Sequence, residues 1–243
     1  MRFTKWTNAA TCPSLAPDEV HIWWLALDLP ENEIYRCRST LHQMELKRAN
    51  RFRFDKHRHR YIAGRAHLRS LLGRYLSVSP EDIALKFGPL GKPYISDKFA
   101  WPKLYFNYSD SNGMALYAFS LGRELGIDLE HLLRRVDHDR IARRKFSASE
   151  AATIRQCTDS RRGSAFLACW TRKEAYGKAE GFGIRYPLDS VDLCNDLTNN
   201  SLRIPKADGA DDSFWTVKQL HPHPEYVGAV AVDGQGWHIS AWR

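Results

Sequence analysis

Ala115-Leu116-Tyr117-Ala118-Phe119-Ser120-Leu121-Gly122-Arg123-Glu124-Leu125-Gly126-Ile127-Asp128-Leu129-Glu130 is the stretch on which the reading of this chain turns. Residues 115–120 form an apolar, aromatic run of strand length, and Leu121, Gly122 and Arg123 form a short turn. Residues 124–130 then alternate, so the stretch predicts two strands joined as a hairpin. Upstream lie a strand over 21–29, helices over 33–50 and 58–76, and strands near 83–87 and 104–107. Downstream the order begins again. Helices are expected over 137–145, 147–157 and 164–180, followed by strands near 214–220, 227–232 and 237–242. Ser147 and Glu150 have capping-box spacing at the start of the middle helix. The repeated order predicts an α+β protein of two similar halves, 1–122 and 123–243, packed directly on each other. Residues 195–212, rich in Asn, Asp and Gly, read as a surface loop.

The chain has 243 residues, 43% of them hydrophobic, 26% charged and eight of them Trp, a composition that excludes disorder. The longest clean apolar run, 22–27, has six residues, against about 20 for a membrane span. With no signal-peptide apolar region at the start, the expected location is the cytoplasm. The five cysteines, Cys12, Cys37, Cys157, Cys169 and Cys194, are scattered without C-x-x-C pairs. They predict reduced thiols, with neither a disulfide framework nor a zinc site.

Charge is concentrated. Residues 45–74 hold ten Lys and Arg against Glu45 and Asp55, and so carry the whole net charge of +8. Within 58–76, Leu68, Leu71, Leu72 and Tyr75 form one apolar stripe, with Arg58, Arg65 and Arg69 clustered beside it. Such a helix is either a solvated cationic face or a site for a polyanion.

Alternation over Gly126-Ile127-Asp128-Leu129-Glu130 sets Ile127 and Leu129 on one face and both carboxylates on the other. Asp128 and Glu130 are then either decoration of an exposed edge or oxygen ligands for a hard cation such as Mg²⁺. A third carboxylate lies on the predicted helix 164–180, where Phe166, Trp170, Glu174 and Lys178 follow at i, i+4. Glu174 there continues an apolar stripe, and a buried carboxylate needs a partner or a metal. Its neighbour Lys178 offers a plain helical ion pair as the other reading. Gly91-Lys92-Pro93 and Phe106-Asn107-Tyr108-Ser109-Asp110-Ser111 are weaker candidates for anion contact. Gly-rich phosphate loops, H-E-x-x-H and G-x-S-x-G are absent.

In this order the segments resemble the 4'-phosphopantetheinyl transferase family, of the larger, Sfp-like pseudo-dimeric type. Its hallmark is a Gly-Ile/Val-Asp-x-Glu strand followed by a Trp-x-x-Lys-Glu-Ala-x-x-Lys helix. Here these are Gly126 to Glu130 and Trp170 to Lys178, with Glu174 44 residues after Glu130. Gly91-Lys92-Pro93, Phe106-Asn107-x-Ser109 and Phe146-Ser147-x-x-Glu150 align as well.

The resemblance implies two halves related by a pseudo-twofold, with the active site in the cleft between them. It also implies transfer of the phosphopantetheine arm of coenzyme A to a serine of an acyl or peptidyl carrier protein. Asp128, Glu130 and Glu174 would then hold Mg²⁺. Glu174 would help deprotonate the serine, and Lys178 would offset charge on the phosphate. Arg48, Arg60, Lys92, Ser109 and Lys173 would contact coenzyme A. Asp110 would stand beside its phosphate, where the family commonly has His. The expected partner is an acidic carrier protein, with no nucleic acid and no membrane, and the expected state is a monomer. The alternatives are a member that binds coenzyme A without turnover and a basic nucleic-acid-binding module.

Overall fold

The faces of the strands assign the layers. The computed structural model describes residues 3–8, 13–96, 103–133, 137–181, 187–194, 196, 200–206 and 213–243. After β1 (Glu19–Ala26) come α1 (Glu31–Ser39), α2 (Gln43–Ala49) and α3 (Asp55–Leu76). Then follow β2 (Leu85–Phe87), β3 (Pro93–Ile95), β4 (Leu104–Ser111), β5 (Met114–Leu121) and β6 (Leu125–His131). The chain continues with α4 (His138–Lys145), α5 (Ala148–Gln156) and α6 (Asp159–Ala179). It ends with β7 (Ser201–Pro205), β8 (Phe214–His223), β9 (Tyr226–Asp233) and β10 (His238–Trp242).

One sheet has the order β10-β1-β5-β4, a second β6-β9-β8-β7, and β2 pairs with β3 alone. Trp23, Tyr117 and Phe119 turn toward α3 and share a core with its Ile62, Leu68 and Leu72. Residues of opposite parity, Val20, Ile22, Leu116 and Ala118, meet Ile127, Leu129, Val230 and Val232 of the other sheet. The far face of that sheet, with Trp215, Val217 and Ala229, packs on Phe166, Ala175 and Tyr176 of α6. The mixed α+β layers therefore run α3, first sheet, second sheet, α6. The last strand returns to the first sheet, where β10 lies parallel to β1 with His238 opposite Glu19.

Four expectations are corrected. The predicted hairpin of 115–130 does not form, because β5 pairs with β1 and β4 while β6 pairs with β9. Both strands have a fully apolar face, and these faces stack across the middle core instead of lying edge to edge. The real hairpin joins β4 to β5 through Asn112 and Gly113, at φ 45° and 88°, the left-handed pair that a two-residue turn requires.

The helix expected over 33–50 is two helices. His42 caps the second, receiving a bond from Met44 N, while its own backbone N–H donates to Glu45 Oε2 at 3.0 Å. The expected loop 195–212, much of which lies outside the described residues, contains strand β7, paired to β8. β3 was likewise not foreseen.

The thiols are not all reduced. Cys169 and Cys194 are joined in a disulfide, their Cα atoms 5.5 Å apart, while Cys37 and Cys157 are free and Cys12 lies outside the described residues. The pairing is tertiary. The segment 188–194 folds back on α6 because Arg172 donates to Leu193 O at 3.0 Å and Leu193 N donates to Glu150 Oε1 at 2.7 Å. Among the described residues no helix is long and apolar enough to cross a membrane.

Candidate active site

Strands β4 and β6 each present an open edge, and side chains close the gap between them. Asn107, Ser109 and Ser111, at alternate positions of β4, form a polar ladder. Asn107 Oδ1 accepts from Ile127 N at 3.0 Å, and Ser109 Oγ donates to Asp128 Oδ1 at 2.8 Å. Ser111 Oγ donates to Glu130 Oε2 and accepts from His131 N, both at 3.1 Å. Asp128 and Glu130 are only 5% and 6% exposed, so they are not decoration of an exposed edge.

The other side of these carboxylates is closed by α6. A Cβ on Gly126 would lie 2.2 Å from Ala175 O and 2.4 Å from Ala179 N, so glycine is what lets the helix backbone rest on β6. That contact brings Lys178 Nζ to Ile127 O at 3.0 Å and to Asp128 Oδ1 at 2.7 Å. Lys178 therefore reaches across to the strand and pairs with Asp128. One turn earlier, Glu174 is 6% exposed, on the buried stripe expected for it.

Of these three buried carboxylates, Asp128 is the one paired with the Lys178 ammonium. Asp128 Oδ2 is buried and has no hydrogen-bond partner among the described residues, since Ser109 and Lys178 both take Oδ1. An orphaned carboxylate oxygen beside two further buried carboxylates is a hard-oxygen donor set with excess negative charge, which fits a divalent cation. The set is not closed. Among the described residues the one group of three His, Cys, Asp or Glu donors within 4.8 Å of one another is Glu150, Cys169 and Cys194, whose sulfurs are bonded together. Asp110 is exposed beside this set. Desolvation pushes its carboxyl up, with Lys178 and Arg60 opposing and Asp128 adding.

A cavity of about 990 Å³ opens under α2 and α3, lined by Lys47, Arg48, Arg51, Arg65 and Arg69 against Glu45, Glu81 and Asp82, with Tyr61 and Phe52. Arg65 and Arg69 share one counter-charge from within, each donating to Glu45 at 2.6 Å. Lys47, Arg48 and Arg51 have no carboxylate partner among the described residues, and Arg48 lies 5.5 Å from the centre of the Tyr61 ring. Gly91, Pro93 and Tyr108 line this cavity and also a smaller one of about 220 Å³ that reaches Lys92 and Lys178. The large cavity and the small one lined by Lys178, the partner of Asp128, therefore share a wall.

The remaining candidates are placed differently from one another. Lys92 is half-buried and donates to Leu125 O at 3.2 Å and Ala179 O at 3.1 Å, which caps the end of α6; desolvation pushes its ammonium down. Arg60 forms a forked pair with Asp28, 2.6 Å on both bonds, and lines neither cavity. Lys173 is not brought to the cleft. It is fully buried on the far side of α6, 2.7 Å from Glu150 and also bonded to Leu188 O and Val191 O, and desolvation lowers its pKa. Facing the opposite way from Lys178, it belongs to the core beneath Phe146. Arg51 and Tyr61 were not singled out in the sequence, and Ser111 only as part of a polar stretch for anion contact. The alternation Asn107-x-Ser109-x-Ser111 was the signal that could have found the last.

Two family models match the chain. Residues 30–120 match the N-terminal model of 4'-phosphopantetheinyl transferases, and residues 124–231 match the 4'-phosphopantetheinyl transferase superfamily. The 4'-phosphopantetheinyl transferase HetI of Nostoc sp. is 39% identical over 230 residues, 95% of this chain and 94% of that protein. The 4'-phosphopantetheinyl transferase Sfp of Bacillus subtilis is 29% identical over 174 residues, 71% of this chain and 75% of its own length. The 4'-phosphopantetheinyl transferase AcpT of Salmonella typhi is 36% identical over 132 residues, 54% of this chain and 63% of that one.

Proposed function

Since the chain belongs to the 4'-phosphopantetheinyl transferase family, and so moves phosphopantetheine onto carrier proteins, we propose that its donor is coenzyme A, its metal Mg²⁺ and its released product adenosine 3',5'-bisphosphate. The observation that carries this reading is Asp128, held by Ser109 and Lys178 with its second oxygen unpartnered, where Lys178 lines the small cavity that adjoins the large one.

In this reading Lys47, Arg48 and Arg51 hold the phosphates of coenzyme A, with the adenine against Tyr61. Asp128, Glu130 and Glu174 hold the metal, which when bound neutralises the pyrophosphate as a Lewis acid. The carrier serine oxygen attacks the phosphorus bearing the pantetheine arm. A new P–O bond forms as the pyrophosphate P–O bond breaks, and Glu174 takes the serine proton. Lys178 lies close enough to offset charge on the leaving phosphate. Lys92 acts from behind by fixing the end of α6. Arg60, held by Asp28, shapes the β4–β5 turn beside Asp110.

The same proposal takes 1–122 and 123–243 as two halves with the site between them, supported by the layer order and by family models that meet at 120–124. It takes the acceptor as acidic, supported by a pI near 9.3, and the enzyme as a cytoplasmic monomer. Intact mass spectrometry of an apo carrier protein incubated with the enzyme, coenzyme A and Mg²⁺ tests it. The acceptor should gain one phosphopantetheine, and EDTA should abolish the gain. Binding of coenzyme A with no transfer to any of several carriers would replace this reading with a non-catalytic one.

A further inference from the structure

Away from the cleft, a cavity of about 370 Å³ opens between α4, α5 and α6. Among the described residues its ionisable lining is basic: His138, Arg143, Arg155 and Arg162. Two of its polar atoms, His138 Nε2 and Arg162 Nε, are buried and have no hydrogen-bond partner among the described residues. A buried polar group left unpartnered is unfavourable, so two on one wall point to something that would satisfy them.

The imidazole is fixed in place. Its ring lies 4.5 Å from that of Phe166, and a Cβ on Gly163 would already stand 3.4 Å from His138 Cε1. Arg162 is shared with the exposed Asp159 at 2.9 Å, and Arg143 and Arg155 have no carboxylate partner among the described residues. The remaining wall is apolar, with Ile154 and Phe166.

We propose that this pocket binds a small organic phosphate, separately from the cleft beside Lys178. Guanidinium forks suit phosphate oxygens, and three of them with an imidazole match a dianion better than a single carboxylate charge. The apolar wall covers a short hydrocarbon or aromatic body attached to the phosphate, the usual division of labour in a small-molecule pocket. Among the described residues no carboxylate lines the pocket, which disfavours a cation.

The test is titration of phenyl phosphate into the whole protein, followed by NMR of the Arg162 Nε–H and the His138 ring. Wild type should give saturable shifts at both. So should Arg48→Ala/Arg51→Ala, in which phosphate binding in the large cavity is weakened. Arg143→Ala/Arg155→Ala removes two exposed side chains, and should weaken the apparent affinity by at least about tenfold. Inorganic phosphate, which lacks the apolar body, should bind more weakly than phenyl phosphate. Non-saturating shifts, shifts lost in Arg48→Ala/Arg51→Ala but kept in Arg143→Ala/Arg155→Ala, or equal affinity for the two phosphates would each overturn the assignment.

Discussion

Removing Glu45 should destabilise the protein far more than removing an ordinary helix carboxylate. Glu45 is 7% exposed and receives one bond of 2.6 Å from Arg65 and another of 2.6 Å from Arg69, which are 4% and 2% exposed. In Glu45→Ala, Arg69 keeps the carbonyls of Pro80 and Ile83, at 2.9 and 3.2 Å. Arg65 keeps the Tyr108 hydroxyl at 3.2 Å, and neither guanidinium keeps a counter-charge. Stranding buried charge in this way costs about 3–5 kcal/mol, out of a total stability of about 5–15 kcal/mol. For a chain of this length the loss corresponds to a Tm lower by roughly 6–20 °C. Burial would raise the Glu45 carboxyl, but Arg65, Arg69 and the His42 backbone outweigh it and hold the pKa below its ordinary 4.5. With the folded pKa depressed, the stabilisation is complete above pH 4.5 and disappears as pH falls through the folded value. Urea denaturation followed by circular dichroism, at pH 7 and at steps below 4.5 where both proteins stay folded, measures this. A loss under about 1 kcal/mol at neutral pH, or one that does not shrink on acidification, would refute the reasoning.

Asp128→Asn is expected to lower turnover by about 10³-fold or more while leaving the circular dichroism spectrum unchanged; near-normal carrier modification by mass spectrometry would remove Asp128 from the site. Gly126→Ala forces a Cβ into the space held by Ala175 O. It should cost about 1–3 kcal/mol by overpacking and lower kcat as α6 is pushed from Asp128, which denaturation and steady-state kinetics would report together. Lys173→Met strands Glu150, 0% exposed, and should cost about 3–5 kcal/mol. The KM for coenzyme A of the folded fraction should stay at its wild-type value; a raised KM with unchanged stability would return Lys173 to the cleft.

The patterns that read correctly from sequence are those set by neighbours along the chain. Period-two alternation put Asp128 and Glu130 on one face of β6, period 3.6 put Glu174 on the buried stripe of α6, and Ser147 with Glu150 formed the expected cap. The β4–β5 hairpin was legible as well, in Asn112-Gly113, but the polar run before it was read as an anion contact. Charge was misjudged because a basic cluster does not announce its internal acid. Glu45 pairs with Arg65 and Arg69 in the cavity wall, Asp28 pairs with Arg60, and Glu150 pairs with Lys173.

By itself the sequence determined most of the strands and helices, which faces are apolar, and which carboxylates share a side, because backbone geometry repeats every two or 3.6 residues whatever lies opposite. Tertiary structure alone decided that β5 and β6 enter different sheets, that Asn107, Ser109 and Ser111 meet β6, and that Cys169 meets Cys194. These pairings join residues about 20 or more apart along the chain, and the two open strand edges and the folded-back segment meet only once the apolar layers have stacked.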